Sequence, residues 1–136
     1  MEKMDEFKVI VLGVIYDPAK KKILIGRREN DPNFPKLKWC FPGGRAYHGE
    51  DVDKILKKNI KEKTGYTIKN LGAIFVTTYR EKKDFLGVYF LTEVFEGKET
   101  LGVGMKELKW VNPKEIEKYF DEKLHSRLKE FLEHLS

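Results

Sequence analysis

Eight consecutive residues, Gly43-Gly44-Arg45-Ala46-Tyr47-His48-Gly49-Glu50, lead without a break into a helical pattern from Asp51 to Thr64, which Gly65 closes. Adjacent glycines let a backbone approach a neighbour more closely than any side chain allows. Val52, Ile55, Leu56 and Ile60 fall on one side of the helical pattern, so that side is expected to be buried. Gly65 suits the left-handed conformation that ends many helices. A glycine-rich turn feeding one helix, with acidic residues at its start and near its end, can gather backbone groups and carboxylates around phosphate and a divalent cation.

Around this unit the chain reads as strands. Val9 to Tyr16 is apolar and rich in β-branched residues, Asp17-Pro18-Ala19-Lys20 is turn-forming, and Ile23-Leu24-Ile25 belongs to a second strand. Prolines and Asx residues between Glu29 and Pro35 predict a loop before a short strand at Leu37 to Phe41. Leu71 to Tyr79 and Phe85 to Phe95 predict a long antiparallel pair, and Leu108 to Val111 a further short strand. Asn112, Pro113 and Glu115 carry the cap, the first-position proline and the third-position glutamate of a helix start. Leu124, Leu128, Phe131, Leu132 and Leu135 share one face of a last helix. No repeat, low-complexity tract or linker interrupts the 136 residues. The expectation is one mixed α/β domain, residues 1–136, with a sheet between helices.

Composition removes several function classes. The net charge of +5 comes from lysines scattered among glutamates, with no basic block beside aromatics, so no nucleic-acid partner is expected. No apolar run approaches the roughly 20 residues of a membrane span, and the first residues lack a signal-peptide core. The single Cys40, in the apolar run Trp39-Cys40-Phe41, reads as a packed thiol suited to a reducing cytoplasm. Charged residues make up 36% of the chain and glutamine is absent, a Lys/Glu-rich balance associated with proteins of hot environments.

Gly44, five residues, Glu50, and then Lys58-Asn59-Ile60-Lys61-Glu62-Lys63-Thr64-Gly65-Tyr66 resembles the Nudix box. The flanks, Trp39-Cys40-Phe41-Pro42-Gly43-Gly44 and Trp110-Val111-Asn112-Pro113, are similar to that family too. The likeness extends from Val9 to about Phe120. It implies a mixed β-sheet sandwiched between α-helices, with the box as a loop-helix-loop. It also implies hydrolysis of a nucleoside diphosphate linked to another group, with Mg²⁺ or Mn²⁺ as cofactor. The partner implied is a nucleotide-type small molecule, and a homodimer is a form this fold often takes.

The site residues follow from the resemblance. Helix positions that carry three carboxylates in the family read Asn59, Glu62 and Lys63 here, so three negative charges are replaced by a sum of zero. At about 5 Å and an effective dielectric near 20, Lys63 opposes Mg²⁺ by about 6 kcal/mol before solvent and side-chain movement relieve it. A cluster of ions is disfavoured, and one ion held by Glu62, Glu50, a backbone carbonyl of Gly43 or Gly44 and substrate phosphates is the expected remainder. Lys58 replaces an Arg that resembles a clamp on Glu50, which is read as structural first and a ligand second. Arg45 is a candidate phosphate clamp or a surface residue, and His48 a candidate base or ligand or an exposed loop histidine. Glu99 and Glu107 are candidates for an outlying carboxylate. Tyr16, Phe75, Tyr79 and Tyr89 are candidates either for the core or for stacking a base.

Pro42-Gly43-Gly44-Arg45, Asp84-Phe85 and Leu124-His125-Ser126-Arg127 are similar to the GDP-mannose mannosyl hydrolase branch, which implies a nucleotide sugar and attack at the sugar carbon. That branch keeps a carboxylate where Lys63 stands, and its loop histidine has no counterpart in Gly102 to Glu107. The alternative is a catalytically inactive Nudix domain that binds a nucleotide or a protein partner, with Lys63 replacing a metal cation.

Overall fold

The computed structural model describes residues 6–28, 39–79, 82–120 and 123–136. Strands β1 (Lys8–Asp17) and β2 (Lys22–Arg28) are joined by a turn in which the Asp17 carboxylate accepts the Ala19 and Lys20 amides. Short strands β3 (Trp39–Cys40) and β4 (Gly43–Ala46) precede helix α1 (Val52–Thr64). Strands β5 (Tyr66–Thr78), β6 (Phe85–Gly97) and β7 (Met105–Val111) follow, then a 3₁₀ helix at Pro113–Lys118 and helix α2 (Ser126–His134). The loop expected at Glu29 to Pro35 and the first half of the strand expected at Leu37 to Phe41 lie outside the described residues.

One mixed sheet runs β3-β2-β1-β6-β5, with β4 on β1 and β7 on β2. The β5–β6 pair is antiparallel as expected, while β1 and β6 are parallel, Lys8 to Ile15 against Phe85 to Thr92. Along β1 the two-residue period divides the molecule. Val11 and Ile15 meet Leu56 and Ile60 of α1, whereas Val14 meets Ile116 and the α2 residues Leu128 and Leu132. The sheet is thus covered by α1 on one face and by the 3₁₀ turn and α2 on the other.

Helix α1 is well specified locally. Asp51 caps it by accepting the Lys54 amide at 3.1 Å, and Gly65 ends it at φ 82°. Asp53 ties it to β5 by accepting from Asn70 at 2.9 Å, and pairs within the helix with Lys57 at 2.9 Å. Leu56 and Ile60 are buried, but Val52 is exposed, so the apolar stripe is one turn shorter than its spacing predicted. The helix expected after Asn112 is a 3₁₀ turn, although Asn112 caps it as expected through the Lys114 amide.

Strand β4 lies directly against α1 because Gly44 has no side chain, and close against β1 because Gly43 has none. A Cβ on Gly44 would stand 2.3 Å from the Asn59 Oδ1, and one on Gly43 only 2.0 Å from the Val11 carbonyl oxygen. Asn59 is itself held by its Nδ2, which donates to the Ile55 carbonyl at 2.9 Å.

Gly44→Ala should therefore cost about 1–3 kcal/mol by overpacking. Because the clash is with a side chain, Gly44→Ala and Asn59→Ala should be strongly non-additive in a denaturation double-mutant cycle, with additive losses contradicting the contact. A second expectation concerns the junction of the 3₁₀ turn and α2. Glu117 pairs with Lys129 at 2.7 Å and accepts the Leu124 amide, and the bond from Lys129 holds its carboxyl below the ordinary 4.5. A depressed carboxyl stabilises the fold above its unfolded value and loses that contribution as pH falls through the folded one. The melting-temperature gap between wild type and Glu117→Gln should be open at pH 7 and close as the pH drops below 4.5; a gap of constant size would contradict the pairing.

Candidate active site

The site is built on the contact between the glycine-rich turn and the last two turns of α1. The Gly13 amide donates to the Pro42 carbonyl at 2.8 Å, so the antiparallel alternation on β4 turns the next carbonyl, that of Gly43, away from β1. Lys63 meets it there, its half-buried Nζ donating to the Gly43 carbonyl oxygen. Asn59 lies over Gly44. The helix end is fixed by the segment after β6: the Thr100 amide donates to the Thr64 carbonyl at 2.8 Å and the Gly102 amide to that of Lys63 at 3.1 Å. A Cβ on Gly102 would come within 1.9 Å of the Glu62 carbonyl oxygen, so the glycine is what permits this approach.

Of the helix positions expected at the site, Asn59 and Lys63 are half-buried on the turn and Glu62 is exposed beside them. Glu50 is elsewhere. Its Oε1 accepts the Tyr47 amide at 2.7 Å while its own amide donates to the Tyr47 carbonyl at 3.1 Å, closing the turn that carries His48 and Gly49. His48 is exposed in that turn. Glu107 pairs with Arg27 at 3.4 Å, and Glu99 accepts from the Trp110 Nε1 at 2.9 Å and the Tyr66 hydroxyl at 3.3 Å. Burial, followed by the neighbouring Glu99 charge, pushes the Tyr66 hydroxyl above its ordinary range.

These positions bear on the fit of a resident ion to the ligand set expected from the sequence. Glu50 precedes α1 and Glu62 is in its last turn, with about 15 Å of helix between Val52 and Glu62; Glu50 is also turned to its own loop. The Gly43 carbonyl already receives an ammonium. Among the described residues no three His, Cys, Asp or Glu side chains converge to hold a metal ion. The residues present do not fit a resident Mg²⁺ or Mn²⁺ shared by Gly44, Glu50 and Glu62.

The opposite face of the turn holds what sequence reasoning only partly found. Arg45 pairs with Ile10 and Tyr89 with Leu12, so both project from the face away from α1. The Arg45 guanidinium stacks on Tyr47 at 4.5 Å, and its Nε is buried with no hydrogen-bond partner. On the same face, across β1, Tyr89 contacts Phe41 at 5.9 Å and Phe75 at 5.8 Å, Phe75 contacts His125 at 4.9 Å, and the Tyr79 and Tyr89 hydroxyls lie 3.5 Å apart. His125 also caps α2 by accepting the Arg127 amide. The strand aromatics were legible as candidates; the parallel β1–β6 register that sets Tyr89 next to the turn was not. Tyr16 is separate, its hydroxyl donating to the Leu135 carbonyl.

Known proteins share this fold. Over 104 residues the chain is 32% identical to an ADP-ribose pyrophosphatase of Methanocaldococcus jannaschii, which takes in 73% of this chain and 58% of that protein. A MutT protein from Methanosarcina mazei Go1 superposes with a TM-score of 0.75 at 20% identity, covering 98% of this chain and 96% of the other. A NUDIX hydrolase from Nitrosomonas europaea gives 0.77 at 17% identity, covering 97% and 73%. With residues 6–135 matching the NUDIX domain and the same fold recurring in these structures, the chain belongs to the Nudix family.

Proposed function

We propose that this chain hydrolyses a nucleoside diphosphate linked to a second group, a nucleotide sugar or ADP-ribose-like molecule. One observation carries the reading. Arg45, with a buried and unsatisfied Nε, stands on the same sheet face as the Phe41, Phe75, Tyr79, Tyr89 and His125 cluster and next to the glycine-rich turn. A guanidinium binds phosphate through paired donors, and aromatic rings stack on a base. The relative from M. jannaschii, named for ADP-ribose, supports the same class of substrate.

In this reading the nucleoside lies along the aromatic face and the diphosphate crosses the turn between Arg45 and Lys63. Water adds to one phosphorus, the bridging P–O bond breaks, and the departing phosphate leaves with a proton from that water. Cations fixed at the turn stabilise charge developing on the leaving phosphate. Nudix hydrolases generally use divalent metals such as Mg²⁺ or Mn²⁺; here such an ion would arrive on the diphosphate as part of the substrate, with Glu62 the helix carboxylate nearest the turn. Binding without turnover is the second reading, favoured by the Lys63 ammonium on the Gly43 carbonyl.

The test is product analysis with ADP-ribose and GDP-mannose in Mg²⁺ and Mn²⁺. Two monophosphates are expected from attack at phosphorus within the diphosphate; a nucleoside diphosphate plus free sugar, with ¹⁸O from labelled water on the sugar, would instead place the attack at the sugar carbon. Arg45→Ala should lower kcat/KM by about 10- to 100-fold, the worth of a charged hydrogen bond. No product from any nucleoside diphosphate derivative would exclude hydrolysis.

A further inference from the structure

We infer that Lys63 is a built-in substitute for a metal ion, so that the glycine-rich turn binds a diphosphate without any divalent cation. This rests on the reading above that the ligand is a nucleoside diphosphate derivative. It goes further by assigning the positive charge at the turn to a side chain.

The Gly43 carbonyl oxygen is turned away from β1 by the β4 register, and the Lys63 Nζ donates to it. A divalent ion on the same oxygen would stand about 2.0–2.6 Å from it, within a few ångströms of that ammonium. Two like charges so close, with Asn59 supplying no compensating carboxylate, make the ion and Lys63 alternatives at this point. An ammonium also has three donors, so it can hold a carbonyl and a phosphate oxygen together, which is the bridging task of the ion.

The lysine is held at both ends. Its tip is on Gly43. Its main chain is gripped by Gly102, whose amide donates to the Lys63 carbonyl and whose Cα lies so close that a Cβ would fall 2.6 Å from the Lys63 Cα. A long, flexible side chain with a fixed root and a fixed tip loses less entropy on meeting phosphate than one recruited from solvent. The arrangement gives a permanent charge of +1 where an ion supplies +2, so binding should be weaker and indifferent to chelators.

Calorimetric titration of the full chain with ADP and with inorganic pyrophosphate, in Mg²⁺ and in EDTA, tests this. Wild type is expected to bind both ligands in EDTA with a Kd within about 3-fold of that in Mg²⁺, and Lys63→Met, checked for an unchanged melting profile, to bind about 10- to 100-fold more weakly in EDTA. Lys63→Glu should lose binding in EDTA and gain bound Mn²⁺ detectable by electron paramagnetic resonance. Wild-type binding that appears in Mg²⁺ and vanishes in EDTA overturns this inference and leaves the diphosphate reading intact. No binding in either medium overturns both. Equal affinity of wild type and Lys63→Met in EDTA removes Lys63 from the site.

Discussion

Strand β4 can lie between β1 and α1 only because Gly43 leaves room for the β1 backbone and Gly44 for Asn59 of the helix, and the remaining features of the site depend on that approach. Gly44 leaves room for Asn59, and Gly43 exposes a carbonyl at the height of Lys63. A third glycine, Gly102, lets the segment after β6 close over the same end of the helix. Backbone contact from two sides fixes the last turn of α1 more firmly than its propensity alone would.

The fixed helix end makes the substitutions at positions 59 and 63 consequential. A lysine on a mobile end could swing away and leave its place to an ion. Here its backbone is bound to Gly102 and its ammonium to Gly43, so the charge stays at the turn. The two cations named at the site come from different layers: Lys63 from the helix side of the sheet and Arg45 from the face shared with Ile10, Tyr89 and Phe41. A ligand that satisfies both must cross the turn from one layer to the other, which suits an extended, doubly charged linker between two groups.

Much of this was legible in the sequence because it is local. The Asp51 and Asn112 caps, the Gly65 terminator and the β5–β6 hairpin follow from residue types at fixed spacings. The box spacing carried the fold, and the charge pattern flagged Lys63. What was not legible depends on distant pairing. Tyr66 to Asn70 extend β5 because β6 pairs with them, despite the charged and polar residues there. Val52 obeys the helical spacing and is nonetheless exposed. Glu50 and Glu62 looked like partners along the chain, and the helix between them keeps them apart. The local bond from Tyr47 to Glu50 has no signature in the sequence beyond a turn, so the direction of the Glu50 carboxylate is set by the fold.

The central claim is that an ammonium holds the place of an ion at the Gly43 carbonyl. Anomalous diffraction from crystals grown with Mn²⁺ and ADP addresses it directly. No manganese peak is expected on the Gly43 oxygen, with the Lys63 Nζ at hydrogen-bonding distance from both that oxygen and a phosphate. A manganese ion about 2.0–2.6 Å from the Gly43 oxygen, with Lys63 displaced into solvent, would contradict it.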